Sequence, residues 1–346
     1  MMPRIEVDSP STSTSADAPV RRAPGVVLGL SQPYGSASPR GNSYYSRALR
    51  CSREHALASV VRLRPKRDDD ALTTGWLGHH ALEAYYRTIQ AEQHAPGHGV
   101  EWARTQPGGV DPATRARAEE AAFDAVRPLE AEPGYADTYA TLLTCLRSYF
   151  DFCRADRWFI LAVEEQLAST RPILYTARLD LVVINLGNTS EEDVVLLPEH
   201  KFLRAITADT LSGYQLNLQT LGQSWLYLHC VDVARYPRFG GVLVNITSKT
   251  KIPKHMRVEV PPTAAGLRAF ERAVQGYEEI LDTAQRLDYP PNLTACSGAT
   301  RGFRACSFYN LCFSRPDLSV ERLLEEPEPP YGFVRDESAD DTDDEA

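Results

Sequence analysis

Asp180, Glu199 and Lys201 are the residues of this chain whose types and spacing point most directly to chemistry. Asp180 lies in YTARLDLVV, residues 175–183, and Glu199 and Lys201 close the next apolar stretch, LLPEHKF, residues 196–202. Side chains alternate across a strand, so Glu199 and Lys201 share a face and His200 points the other way. If the two strands are neighbours, Asp180 converges on that face. Two carboxylates offer hard oxygen ligands to Mg2+ or Mn2+, which leave their other positions to water and phosphate oxygens. A lysine beside them can orient a metal-bound water, help to deprotonate it and offset charge on a pentavalent phosphate. That is the chemistry of metal-assisted phosphodiester cleavage. The plainer reading is an ordinary ion pair at strand ends. Against it, an acid flanked by Leu179, Leu181, Val182 and Val183 is costly unless paired or coordinating.

Other groups gather around this set. His79, in GWLGHHALEAYY (residues 75–86), shares a helical face with Leu82, Glu83 and Tyr86 and can complete a metal site, with His80 as a rival. Glu165 lies on the strand before Asp180 and is expected to support the site, with Glu164 facing away. Gln215, Gln219 and Gln223 recur every four residues on the helix after the ExK strand, where they can hold substrate or orient Lys201; Gln219 is the choice for the functional one. A second constellation is Cys51 with the compact trio Cys296, Cys306 and Cys312. Four thiolates suit a [4Fe-4S] cluster, or Zn2+ as the alternative, although zinc sites more often show C-x2-C pairs. Such a site would tie a segment before the core to one after it. Cys145, Cys153 and Cys230 sit in apolar helical runs and read as core.

The elements that position these residues follow from periodicity. Apolar residues at three- and four-residue intervals predict helices over 44–63, 72–91 and 115–156, the last broken at Pro133-Gly134. Short β-branched stretches over 158–167, 173–186 and 194–203 predict three successive strands, with a turn at Gly187-Asn188. A helix over 211–229, a strand over 241–247 and a helix over 264–287 complete the body, so the fold class is mixed α/β. The expected organisation is a disordered segment 1–42, a helical region 43–157, a catalytic core 158–290, a three-cysteine segment 291–320 and an acidic disordered tail 321–346.

Taken in order, Cys51 in RALRCSREHAL, Gly75 and His79, Asp180 in RLDLVV, Glu199-His200-Lys201, the glutamine helix and the Cys306/Cys312 pair resemble the RecB-like branch of the PD-(D/E)XK nucleases. The pattern is similar to the iron-sulfur exonucleases of the fourth CRISPR-associated family with its phage relatives, and to the AddB nuclease domain. The resemblance implies a restriction-endonuclease-like core, a mixed sheet flanked by helices. It implies a metal held by His79, Asp180, Glu199 and the His200 carbonyl, a catalytic Lys201, and a [4Fe-4S] cluster on Cys51, Cys296, Cys306 and Cys312. It also implies a DNA exonuclease acting on single strands or ends in recombination, repair, phage DNA processing or spacer acquisition, with helicase, recombinase or CRISPR adaptation proteins as partners. The alternative is a non-catalytic DNA-binding or assembly subunit that keeps the fold.

Composition agrees with a globular protein. The 346 residues are 43% hydrophobic and 24% charged. The net charge of −9 argues against a basic nucleic-acid coat, but residues 321–346 carry 11 acids and two bases, leaving 35 of each sign in residues 1–320. A balanced body leaves room for local basic patches. Arg47, Arg50, Arg53 and Tyr45 near the first cluster cysteine, with Arg304 and Tyr309 near the last, interleave charge and aromatic surface suited to DNA. No apolar run reaches the ~18 residues of a membrane helix, residues 1–30 lack signal-peptide order, and no GxxxxGK[ST] motif occurs. A cytoplasmic protein without membrane partners is expected.

Overall fold

The computed structural model describes residues 40–66, 70–131, 135–215, 217–296, 306–315 and 318–335. In chain order the elements are α1 (Asn42–Arg50), α2 (Ser52–His55), which runs into a π turn, β1 (Leu63–Pro65), α3 (Asp70–Gln93), α4 (Val100–Thr105), α5 (Pro112–Val126) and α6 (Ala136–Phe152). Next come β2 (Trp158–Ser169), β3 (Tyr175–Asn185), β4 (Val194–Leu203), α7 (Ala208–Gly213), α8 (Leu218–Cys230), β5 (Arg238–Ser248), β6 (His255–Val260) and α9 (Ala264–Arg286). The chain closes with α10 (Leu293–Cys296), α11 (Tyr309–Ser314), α12 (Val320–Glu325) and β7 (Phe333–Arg335). The expected mixed α/β class is observed. The predicted strand β4 coincides with its observed bounds, while β6 has no counterpart in the sequence reading because its face is half-exposed and its pattern weak.

The central sheet has the order β2-β3-β4-β5-β6; β4 and β5 run parallel and every other pair is antiparallel. The parallel pair needs a crossover, which α7 and α8 supply. Helices cover both faces. On one side Trp225, Leu226 and Tyr227 of α8, Phe270 and Val274 of α9 and Tyr45 of α1 pack on the sheet. On the other, Leu77, Ala81, Tyr85, Tyr86 and Ile89 of α3 join Leu142, Leu146, Tyr149 and Phe150 of α6. Those α3 residues fall on one stripe of the helix, as burial against a sheet requires.

Two glycines let helices approach the sheet. A Cβ on Gly78 would lie 2.4 Å from the Phe202 ring of β4, and one on Gly222 would lie 2.4 Å from the Tyr175 hydroxyl of β3. Gly78→Val is therefore expected to push α3 off β4 at a cost of ~1–3 kcal/mol. Denaturant unfolding measures it; unchanged stability would mean that the contact relaxes freely.

A third, smaller core joins the two ends of the chain. Leu57, Val61 and Leu63 pack with Phe308, Leu311, Val320, Leu323 and Phe333, and β1 pairs antiparallel with β7. This corrects two boundaries. Residues 321–325 and 333–335, expected to be tail, are folded because Leu323 and Phe333, with Val320 before them, have an apolar surface to cover. Glu326, counted among the acids of the tail, accepts from Arg315 at 2.6 Å. At the other end Arg40, expected in the disordered segment 1–42, is packed on the body: its guanidinium meets Glu278 at 2.9 Å and its N–H donates to Thr176, while residues 1–39 lie outside the described residues. Pro133-Gly134 and residues 336–346 lie outside the described residues.

Candidate metal and catalytic site

The site is built where β3 parts from β4. Their ladder pairs only Val183–Asn185 with Val194–Leu196, and beyond Val183 the two strands separate. Asp180 and Glu199 stand on the two arms of this split. With no ladder partner there, the His200 N–H donates instead to Asp180 Oδ2 at 2.7 Å. The nearly buried Asp180 carboxylate also faces His79 Nδ1 at 3.3 Å, brought by α3.

The alternation expected along β4 holds. Glu199 and Lys201 face α8, and the His200 ring faces α3 and α6. Glu199 Oε1 accepts from Lys201 Nζ at 2.5 Å and Gln219 Nε2 at 2.7 Å, while Oε2 accepts from Gln223 Nε2 at 2.6 Å. Both glutamines hold the same carboxylate. Asn217 caps α8 by accepting from the Gln219 N–H, so the helix starts in phase to present both amides. Gln215 falls before that cap and is exposed, which removes it from the expected stripe. On the far side, His200 Nε2 is 2.8 Å from the Tyr149 hydroxyl, itself 2.7 Å from that of Tyr86. His80, the rival to His79, stacks on Trp76 instead.

The expectation for Glu165 is corrected. The ligand atoms of His79, Glu164 and Asp180 all lie within 4.8 Å of one another, so the preceding glutamate is the one in the site. The cause is a bulge in β2 between Ile160 and Ala162. Before it, Ile160 pairs with Val183; after it, Val163 pairs with Leu181 and Glu165 with Leu179, which leaves Glu164 opposite Asp180. One extra residue exchanges the faces of everything downstream. Glu164 itself has a φ of 53°, and its Oε2 accepts from Arg178 Nε at 2.8 Å. Neither Glu164 nor Arg178 was legible as a site residue, because only the strand register distinguishes Glu164 from its neighbour.

Burial alone would lower the His79 pKa, but Asp180, with a smaller contribution from Glu199, raises it to about 9. Burial likewise opposes ionisation of Asp180, yet the His79 cation and the hydrogen bonds from His200 and His79 hold it well below the ordinary carboxylate range. Glu164 is pushed up by burial and then by the Asp180 charge. Lys201 is raised, its burial outweighed by Glu199 and Asp180. An imidazole and two carboxylates around a cavity of about 10 Å3 suit one small divalent cation. Glu199 stands just outside that trio, held by Lys201 and the two glutamines.

The sign of the pH dependence follows. A raised His79 stabilises the metal-free fold below its unfolded value near 6.5 and loses that contribution as pH rises through about 9. A metal must displace the same proton, so Mn2+ affinity should rise by up to about tenfold per pH unit for each proton displaced, up to about pH 9. Calorimetric titration in buffers of different ionisation enthalpy counts those protons. A pH-independent affinity would exclude displacement at His79.

Of the four cysteines, Cys306 and Cys312 pack against the small core. Cys51 is buried and its sulfur accepts the Asn292 N–H at 3.2 Å. Burial first, then the neighbouring acid or thiols, raises Cys296 and Cys312 and pushes Cys306 up to about 11, with Cys51 among the neighbours of each. Cys145, Cys153 and Cys230 are buried. Two residues of the DNA surface expected nearby are structural instead. Tyr45 is fully buried and donates to Glu278 at 2.5 Å. Arg53 is buried and donates to the Leu318 carbonyl, joining α2 to the chain's end. Arg50 pairs with Glu54, and Arg47 is half-buried. Tyr309 is exposed and stacks on Phe313, and Arg304 lies outside the described residues.

Among the described residues no helix is long and apolar enough to cross a membrane. No protein-family model and no curated protein matches this chain. Among solved structures it is similar to the "Putative exonuclease" of Eubacterium rectale, at 10% identity and a TM-score of 0.45, over 80% of this chain and 94% of that one.

Proposed function

We propose that this chain is a Mg2+- or Mn2+-dependent deoxyribonuclease of the PD-(D/E)XK type, acting as an exonuclease on single strands or DNA ends. The observation that carries the reading is the meeting of Asp180, Glu199 and Lys201 at the split between β3 and β4, with His79 and Glu164 beside Asp180. In this reading His79, Glu164, Asp180, Glu199 and the His200 carbonyl supply the metal ligands. A divalent cation held there would lower the pKa of a bound water and polarise the phosphate. Lys201 orients that water or offsets charge on the phosphate, and Gln219 and Gln223 fix the Glu199 carboxylate.

Cys51, Cys296, Cys306 and Cys312 hold a [4Fe-4S] cluster in the same reading, with zinc as the alternative occupant. An N–H donated to Cys51 sulfur fits a cluster thiolate. The setting is cytoplasmic DNA recombination, repair, phage DNA processing or spacer acquisition, with a helicase, recombinase or CRISPR adaptation protein as partner.

The test is cleavage of end-labelled DNA with Mn2+ by wild type and Lys201→Ala. Loss of one preorganised charge at a phosphate is expected to slow the reaction by about 10²–10³-fold. Wild-type cleavage by the variant would overturn the role of Lys201.

A further inference from the structure

The stretch 246–258, spanning the end of β5, its hairpin and the start of β6, holds Lys249, Lys251, Lys254 and Arg257 and no acid, in a chain whose net charge is −9. Arg257 is consumed internally: it donates to Asp156 at 2.7 Å and to Asn245 at 2.8 Å. Lys251 and Lys254 are exposed, as is Arg204 just beyond the end of β4.

The hairpin is built rather than loose. The Ser248 hydroxyl accepts the Lys254 N–H at 2.8 Å, the Lys254 carbonyl accepts the Ser248 N–H at 2.9 Å, and Thr250 Oγ1 donates to the Ile252 carbonyl at 2.6 Å. The Lys249 N–H donates to the Leu203 carbonyl at 2.7 Å, which clamps the hairpin to the end of β4, two residues beyond Lys201. The lysines therefore stand at the carboxyl ends of the only parallel strand pair among the described residues, where open α/β sheets take their ligands.

The same end of β4 is approached from the helix side by α3, which carries an exposed aromatic residue. Gly78 and His79 of α3 pack against Phe202, and Trp76, half a turn earlier, is 44% exposed. Its indole lies over His80, with centroids 6.1 Å apart and planes 8° apart. The stack leaves indole surface to solvent in the amino-terminal half of α3, which also carries His79. A preorganised run of cations beside an exposed, pre-stacked aromatic is what a flexible polyanion with unpaired bases requires. A duplex buries its bases and would use only the cations.

We propose that the β5–β6 hairpin and Trp76 form the track along which a single DNA strand enters the site, Lys251, Lys254 and Arg204 meeting phosphates and Trp76 stacking a base. This rests on the nuclease reading above and adds to it the strandedness and path of the substrate.

The test is fluorescence anisotropy of a labelled 20-residue oligo-dT with the full chain in EDTA, which prevents cleavage, over a range of NaCl. Lys251→Glu with Lys254→Glu should weaken binding at least about tenfold at low salt and flatten the log–log salt slope by about 1.4, two single-strand phosphates at ~0.7 each. Trp76→Ala should weaken binding about tenfold with the slope unchanged, since a stack carries no counterions. Thermal melting of each variant confirms folding, and an unfolded Trp76→Ala is replaced by Trp76→Phe, which should restore binding. Wild-type affinity and slope in the lysine variant, or tighter binding of duplex DNA than of oligo-dT by wild type, overturns the track while leaving the nuclease reading standing. Failure of wild type to bind any DNA overturns both.

Discussion

Asp180→Asn is expected to reduce DNA cleavage by about 10³-fold or more while leaving the metal-free fold close to its original stability. The amide is the same size as the carboxylate and can still accept the His200 N–H that now ends on Oδ2. What it cannot do is supply charge. Asp180 is the carboxylate common to the His79 contact and to the grouping with Glu164, so its loss removes a hard ligand and the partner that holds the His79 proton. Mn2+ affinity should fall together with activity, and the His79 pKa should drop from about 9 towards or below its ordinary value, since burial then acts unopposed. Stability should change by only about 1–2 kcal/mol, because the lost ion pair is exchanged for a neutral hydrogen-bonded pair. Cleavage assays, calorimetry with Mn2+ and denaturant unfolding of the same preparation separate these effects. Cleavage at the wild-type rate would remove Asp180 from the catalytic site.

The second large effect is expected from Cys51→Ser. Anaerobically purified wild type should carry about four irons per chain and absorb in the visible, and the variant should lose both. Joining Cys51 to Cys296 through a shared cluster closes a loop of 245 residues. By the chain-entropy argument for cross-links, a closure of that size is worth roughly 5 kcal/mol. The small core of Leu57, Leu63, Phe308, Leu323 and Phe333 would then have to hold the two chain ends alone, with one three-residue strand pair. Limited proteolysis should cut iron-free protein near residues 51–66 and 306–335 first, before the central sheet opens. A colourless wild type loaded with zinc would replace iron by zinc at the same thiols. A metal-free wild type that resists proteolysis at those two segments would leave the clasp to packing alone.

Much of the candidate site was legible because its signals are local. An acid amid apolar neighbours, a Glu and a Lys two apart on a strand, and a His on an amphipathic helix each follow from periods of 2.0 and 3.6 residues, and those periods belong to the backbone itself. Strand alternation correctly put Glu199 with Lys201 and His200 opposite. The longer helices and the first three strands of the sheet were legible for the same reason.

What only the tertiary structure decided depends on contacts between distant segments. Glu164 replaces Glu165 because a single bulged residue in β2 shifts its register against β3, and no property of either glutamate announces that shift. Tyr45 and Arg53 look like a nucleic-acid surface in sequence, yet they are buried because α9 and the chain's end cover them. Part of the acidic end folds because β1, about 270 residues earlier, offers an open edge for it to pair with. Local chemistry and periodicity determined which residues could form a metal and phosphate site; register and burial, which are sums over long-range contacts, decided which of them face one another.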